Sequence, residues 1–112
     1  MSNILEKTRG ELSRLSLDYP KQGERIESPF YTLRVTAPQG VRIVEVSIDD
    51  GEWQPCREAV GYYWFDWSGY RDGEHEVIAR IATPAGRIVA AEPHQVRVQL
   101  GGRSKPKSLL NN

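Results

Sequence analysis

A period of two in the apolar positions runs from about residue 30 to residue 99. In the stretch 31–37, apolar side chains alternate with Thr32, Arg34 and Thr36, which is typical of a strand with one buried face. The same alternation predicts further strands over 44–48, 62–67 and 75–82. The side chains that it turns inward are Tyr31, Leu33, Val35, Ala37, Val44, Val46, Ile48, His75, Val77, Ala79 and Ile81.

Turn sequences separate these strands at intervals of about ten residues. Asp50-Gly51 is a strong hairpin signal, and it predicts that 52–57 returns as a strand. Further turns fall at 38–40, 72–73 and 84–86, and Pro93 marks a break or bulge within the last strand, Arg87 to Leu100. With Arg25–Ser28 as a short first strand, the pattern predicts an all-β, antiparallel sandwich of about seven strands.

The two ends of the chain follow a different pattern. Leucines and isoleucines recur at roughly helical spacing before residue 18, and Asn3 and Glu6 stand at capping-box distance, so we expect a short N-terminal helix. Its apolar positions are Ile4, Leu5, Leu12, Leu15 and Leu17. We therefore predict a helical segment and linker over 1–24, the sandwich over 25–100, and a flexible basic tail over 101–112.

Composition and charge exclude several classes of function. The 112 residues suffice for one domain, and 15 basic residues balance 15 acidic ones, which argues against a nucleic-acid binder. The sequence has no apolar run of the length of a membrane span, so no membrane partner is expected. The single cysteine, Cys56, excludes an internal disulfide and a multi-cysteine zinc site.

Two stretches of the chain resemble known domains. The first, Val44-Glu-Val-Ser-Ile-Asp-Asp-Gly-Glu-Trp53, resembles a strand–turn–strand unit of bacterial immunoglobulin-like domains. The second runs from Trp67-Ser-Gly69 through Asp72-Gly73-Glu-His75-Glu-Val77-Ile-Ala79-Arg-Ile81 to Gly86 and resembles the last two strands of the same domains. The region from 25 to 100 is also similar to the C-terminal dimerisation domain of sulfite-oxidase-type molybdenum enzymes. His75 stands where the immunoglobulin-like pattern has a tyrosine, and the sequence has no molybdenum-binding segment before residue 25. The resemblance implies a module that scaffolds, spaces or binds, without a cofactor.

The location in the cell is also an expectation from sequence. Residues 1–10 show no apolar core of a secretory signal, and the chain has one cysteine, which together predict a cytoplasmic protein. Because bacterial immunoglobulin-like domains are often exported, removal of a signal would change this expectation.

Seven of the aromatic residues cluster between positions 53 and 70. On a strand, Tyr63, Phe65 and Trp67 face one way, while Tyr62 and Trp64 face the other. If the first set is buried, the second faces outward, with Trp53 beside it across the hairpin or on a neighbouring strand. The candidate ligand or interface residues are Trp53, Tyr62, Trp64, Tyr70, Arg57, Asp66 and Arg71.

Three interpretations of this cluster remain open. The rings and arginines are typical of protein-interface hot spots, which favours a protein partner or self-association. Exposed rings flanked by charged groups also suit a carbohydrate, through stacking on sugar rings. Alternatively, another part of the same chain covers the rings, and the cluster is only structural.

Catalytic and metal chemistry have weaker signals. Asp49, Asp50 and Glu52 share a turn, but their spacing is not that of a calcium loop, and aspartate at a hairpin turn has a local explanation. Cys56 and His75 are the only members of a cysteine–histidine pair, and nothing in the sequence brings them together. We therefore predict no catalytic, metal or cofactor site, and a non-catalytic interaction or scaffolding module. A carbohydrate-binding module is the alternative, and an enzyme is the third possibility.

Overall fold

A computed structural model describes residues 14–101. Within that range the regular secondary structure consists of β-strands. The order along the chain is β1 (Ser16–Tyr19), β2 (Arg25–Ile26), β3 (Phe30–Thr36), β4 (Ile43–Ile48), β5 (Gln54–Pro55), β6 (Arg57–Ala59), β7 (Tyr62–Ser68), β8 (Gly73–Ala82), β9 (Ile88–Ala90) and β10 (His94–Val98). No helix within 14–101 is long and apolar enough to cross a membrane.

The strands form two sheets. The four-stranded sheet has the order β1-β3-β7-β6, and the six-stranded sheet has the order β2-β10-β8-β4-β5 with β9 also paired to β8. All pairings are antiparallel except that of β2 with β10. This arrangement confirms the predicted all-β sandwich, because strands without intervening helices pair as neighbours and bury one face each.

The core lies between the two sheets and is made by the alternation seen in the sequence. Leu33 and Val35 of β3 are fully buried, as are Val46 of β4 and Val77 and Ala79 of β8. Tyr63 and Phe65 of β7 pack against this cluster, and Trp67 is buried within it. The predicted inward and outward faces of β3, β7 and β8 are therefore confirmed, since a one-residue slip would expose every apolar side chain.

The structure does not support the predicted N-terminal helix. Residues 1–13 lie outside the described part, but 16–19 form β1, which pairs with β3 through Leu17 opposite Val35. Leu17 is buried, and Asp18 faces outward, where it accepts hydrogen bonds from the Arg34 and Thr36 side chains. Residues 16–19 form a strand because Leu17 then completes the core beside β3, whereas a helix would leave the edge of β3 unpaired. Of the predicted tail over 101–112, residues 102–112 also lie outside the described residues.

Two of the predicted strands are each divided in two. The returning strand 52–57 pairs with β4 at Gln54 and Pro55 and through one backbone hydrogen bond from Cys56. The chain then crosses to the four-stranded sheet, where β6 pairs with β7. The last strand is interrupted around Pro93, so that β9 pairs with one end of β8 and β10 with the other. Proline lacks the N–H that a continuous ladder needs, which explains both interruptions.

Candidate functional site

The outer face of the four-stranded sheet carries an ordered group of aromatic and charged side chains. Because Leu33 and Val35 are buried, Arg34 and the other residues of β3 that alternate with them point away from the core. The side chains of β7 alternate in the same way. We call this surface the aromatic face, and we define it by Tyr19, Phe30, Thr32, Arg34, Arg57, Tyr62, Trp64 and Asp66.

Arg34 is the centre of the aromatic face. Its guanidinium lies 4.1 Å from the ring centre of Tyr62 and 5.0 Å from that of Tyr19. Its Nε also donates to Asp18 at 3.1 Å, and the Lys21 ammonium stands 4.8 Å from the Tyr19 ring on the edge of the sheet. Since guanidinium groups stack on aromatic rings and bond carboxylates at the same time, one arginine on β3 holds side chains from β1 and β7.

Trp64 and Tyr62 form the aromatic part of the face. Their ring centres are 5.9 Å apart in an edge-to-face arrangement. The Trp64 Nε1–H donates to the carbonyl of Ala59 on β6 at 2.9 Å, so the indole is held across the β6–β7 hairpin. Both side chains are partly exposed. The ring contact and the hydrogen bond of the indole leave these two side chains little rotamer freedom.

An ion pair lies beside the rings. Arg57 Nη1 donates to Asp66 Oδ2 at 2.9 Å, and the Thr32 hydroxyl donates to Asp66 Oδ1 at 3.0 Å. These hydrogen bonds lower the pKa of the Asp66 carboxyl, since they stabilise its charged form. The Arg57 and Asp66 side chains are 58% and 67% exposed, so this ion pair contributes little to stability.

Phe30 belongs to the aromatic face, and the sequence analysis did not identify it. It is the first residue of β3, opposite Ser68 on β7, and it is 73% exposed. Its parity matches that of Thr32 and Arg34, and this parity is the signal that could have found it.

Trp53 lies on the other side of the molecule. Its ring centre is 4.0 Å from the guanidinium of Arg80, which pairs with Glu45 through Nε at 2.9 Å on the outer face of the six-stranded sheet. The expectation that Trp53 stands beside Tyr62 and Trp64 is therefore wrong. The chain changes sheets after β5, so the two ends of the 52–59 stretch belong to different faces.

Tyr70 and Arg71 occupy a third position, at one end of the sandwich. The Tyr70 ring packs 4.3 Å from Trp67, and its hydroxyl donates to the Ser28 carbonyl at 2.6 Å. Arg71 is exposed, and its carbonyl contacts His75 Nε2 at 2.7 Å. Of the seven candidate residues, the structure thus brings together four, which are Arg57, Tyr62, Trp64 and Asp66.

His75 is a packing residue with two hydrogen bonds. Its Nδ1 lies 2.6 Å from Asp49 Oδ2, and its Nε2 faces the Arg71 carbonyl. Burial lowers the pKa of His75, but the two acceptors outweigh burial and raise this pKa above its ordinary value. Asp49 Oδ1 also accepts a hydrogen bond from the backbone N–H of Glu76. The Asp49 carboxylate therefore links the turn between β4 and β5 to β8 through hydrogen bonds to both His75 and Glu76.

Cys56 and His75 do not form a catalytic pair. The backbone N–H of Cys56 bonds the Val44 carbonyl, and Val44 is paired with Ile81, six residues along β8 from His75. Six residues of strand span about 20 Å. Burial raises the pKa of the Cys56 thiol to about 11, so it is protonated at neutral pH. Within the described residues, no three histidine, cysteine or acidic side chains are grouped so as to hold a metal ion.

Comparisons with solved structures agree on the fold. A fibronectin(III)-like module structure of Clostridium thermocellum CbhA matches 75% of this chain and 93% of its own, with 21% identity and a TM-score of 0.64. CopC from Methylosinus trichosporium OB3b matches 81% of this chain and 97% of its own, with 17% identity and a TM-score of 0.56. These matches show an immunoglobulin-like β-sandwich.

Larger proteins contain the same fold as one part. The endo-beta-1,4-mannanase from Thermotoga petrophila matches 77% of this chain at 21% identity with a TM-score of 0.65, and the chain spans 19% of that enzyme chain. A modular endo-beta-1,4-mannanase from Cellulomonas fimi matches 76% at 23% identity with a TM-score of 0.59, over 18% of its length. No protein-family model matches the sequence, and no curated protein matches it.

Proposed function

We propose that this chain is a non-catalytic interaction module that associates with a second copy of itself through the aromatic face. The observation that carries the proposal is the Arg34 cluster, in which one guanidinium holds Tyr19, Tyr62 and Asp18 in place on an outer face. Arginine and aromatic side chains dominate protein interfaces, and rings that are already fixed lose little entropy on binding.

The charge of the chain is compatible with this partner. The chain has no net charge, so two copies do not repel each other as wholes. The aromatic face carries both signs, in Arg34 and Arg57 and in Asp66. None of the matching structures named above is a sulfite-oxidase-type enzyme, so the resemblance to that dimerisation domain stays an expectation from sequence.

The affinity should be modest. Strands of seven residues give the face a length of about 20 Å, and four strands give it a width of about 14 Å. This footprint of about 280 Å² per copy is roughly a third of the footprint of a standard protein interface, so we expect weak, transient association.

Sedimentation velocity tests the proposal. The wild type should change from monomer to dimer between about 10 µM and about 1 mM, and Trp64→Ala should stay monomeric while unfolding cooperatively. Trp53→Ala is the matched control, because it removes an indole from the opposite sheet and should leave the dimer intact. A wild type that remains monomeric at about 1 mM would overturn the proposal.

Carbohydrate binding is the second candidate. The aromatic pair Tyr62 and Trp64 favours it. Two of the matching structures also favour it, since they are endo-beta-1,4-mannanases in which the matched part makes up about a fifth of the enzyme chain. Against it, one face of the Tyr62 ring is occupied by Arg34. Titration of tryptophan fluorescence with mannan and other oligosaccharides decides, since a bound sugar would change the signal of Trp64 and an unchanged signal would remove this candidate.

A further inference from the structure

β1 is an outer strand of the four-stranded sheet, and one of its two backbone edges is open. It pairs with β3 on one side, and within residues 14–101 no strand pairs with its other side. The backbone N–H and C=O groups of successive residues point alternately to the two sides of a strand, so part of those of β1 point away from β3. An open edge of this kind is a template for another strand.

A groove of about 580 Å³ runs along this open edge. The consecutive residues 15–18 all line it. Because successive side chains of a strand point to opposite faces, a groove that touches all four lies beside the strand and not over one face. Leu15, Leu17 and Ala91 give it apolar walls, and Ala91 belongs to the segment between β9 and β10.

The far side of the groove is held in place by hydrogen bonds. The Ala91 N–H donates to the Ala79 carbonyl at 2.8 Å, and the Gly23 N–H donates to the Gln95 carbonyl at 2.7 Å. The Gln95 N–H donates in turn to Gln22 Oε1 at 2.9 Å. A segment that enters the groove therefore meets walls that are already ordered, which reduces the entropy lost on binding.

Two side chains of the groove have polar atoms left for an occupant. Since Gln22 Oε1 accepts from the backbone, the nitrogen of the same amide is a donor. His94 Nδ1 donates to the Pro20 carbonyl at 2.7 Å, so Nε2 of the neutral ring is an acceptor. Neither the Gln22 nitrogen nor His94 Nε2 makes a hydrogen bond to another described residue. A peptide backbone supplies both the acceptor and the donor that these atoms need.

The charges around the groove favour a basic occupant. Two carboxylates line it, from Asp18 and Glu92, against one ammonium, from Lys21. Asp18 is paired with Arg34, and the Lys21 ammonium stands 4.8 Å from the Tyr19 ring centre. Glu92 is exposed and has no ion pair in the part of the chain that the structure describes. A lysine or arginine of the occupant would complement this carboxylate.

We propose that the groove binds an extended segment of another protein, which adds a strand to the open edge of β1. Its apolar side chains pack on Leu15 and Ala91, and a basic side chain lies beside Glu92. Strand addition draws affinity from main-chain hydrogen bonds and specificity from alternate side chains. The opposite outer strand, β6, is less suited, because all three of its residues are exposed. The site lies on the edge of the sheet, so the proposal goes beyond self-association through the aromatic face.

An amide NMR titration with the capped peptide acetyl-Lys-Val-Thr-Val-Lys-amide tests strand addition. The peptide should shift the signals of residues 15–18 and 91–94 saturably, with a Kd of roughly 1 mM. Two N-methylated versions are the controls, one methylated at the valine nitrogens and one at the lysine and threonine nitrogens. One version should bind about tenfold more weakly and the other should bind as before, because only alternate N–H groups face β1.

Three protein variants locate the site. Ala91→Trp fills the groove and should abolish binding while the chain still unfolds cooperatively. Glu92→Gln should weaken binding about threefold, as expected for an exposed ion pair. Glu58→Gln is the matched control, since Glu58 is an exposed glutamate on the other outer strand of the same sheet, and it should leave binding unchanged. If Ala91→Trp does not fold, Glu92→Gln and the methylated peptides still decide.

Four results would overturn the proposal. The first is the absence of saturable shifts up to about 10 mM peptide. The second is an equal effect of the two methylations, which refutes strand addition. The third is equally tight binding when glutamates replace the lysines of the peptide, which refutes a basic occupant. The fourth is a shift of the groove signals on concentrating the protein alone, which identifies a second copy as the occupant. A wild type that stays monomeric refutes self-association only, so the two proposals fail separately.

Discussion

The guanidinium of Arg34 stacks on the ring of Tyr62 at 4.1 Å while its Nε binds a carboxylate on the neighbouring strand. One side chain therefore connects β1, β3 and β7 on the outside of the sheet. A lysine at this position carries the charge but has neither the flat group for stacking nor the fixed direction of Nε–H.

The first prediction concerns that contact. Arg34→Lys should reduce the free energy of unfolding by about 1–2 kcal/mol, because it weakens a cation–π contact and a charged hydrogen bond to Asp18, whose side chain is 14% exposed. Arg57→Lys is the matched control and should leave the free energy of unfolding nearly unchanged, since that ion pair is exposed. Urea denaturation measures both, and equal losses would contradict the role given to Arg34.

The second prediction concerns pH. The pKa of His75 is raised above its ordinary 6.5 in the folded protein, so protonation of His75 stabilises the folded state relative to the unfolded state. This contribution is complete below the unfolded value and is lost as the pH rises through the folded value. The Tm should therefore fall on going from mildly acidic to mildly alkaline pH, and Asp49→Asn should reduce that fall. An NMR titration in which the pKa of His75 lies below 6.5 would contradict the assignment.

The third prediction concerns Val60. It has a φ of 51° and is 87% exposed, in the turn between β6 and β7 that Gly61 completes with a φ of 83°. A β-branched residue is strained in this region, whereas asparagine tolerates it. Val60→Asn should stabilise the fold by about 1 kcal/mol, and Val60→Ala should give a smaller gain. A loss of stability in the asparagine variant would show that the valine side chain makes a stabilising contact.

The fourth prediction concerns Cys56. With a pKa of about 11 and partial burial, its thiol should react slowly with a disulfide reagent near neutral pH. The same reagent should label the urea-unfolded chain rapidly. Fast labelling of the native protein would indicate a reactive cysteine and would reopen the possibility of an enzyme.

The alternation of residues was enough to predict the sheets and the orientation of β7. Inward Val77 and Ala79 and outward Trp64 follow from a period of two, because a strand has only two faces. The candidate site was predicted in part for the same reason: Tyr62, Trp64 and Asp66 share one strand, and Arg57 is on the strand paired with it.

The remaining features depend on contacts between distant parts of the chain. Leu15 and Leu17 fit the spacing of either a helix or a strand, and only the partner β3 decides between them. Trp53 could be placed only by knowing that β5 is two residues long and that the chain then changes sheets. The position of Arg34 between Tyr19 and Tyr62 depends on the order of β1, β3 and β7, which no local pattern encodes.

Amide NMR spectra recorded across a dilution series test the central claim most directly. Between about 1 mM and about 10 µM, the account predicts chemical-shift changes at Phe30, Thr32, Arg34, Trp64 and Asp66, with a single binding isotherm, while Trp53 and Arg80 on the other sheet stay constant. Changes centred on the six-stranded sheet, or spectra that do not depend on concentration, would contradict it.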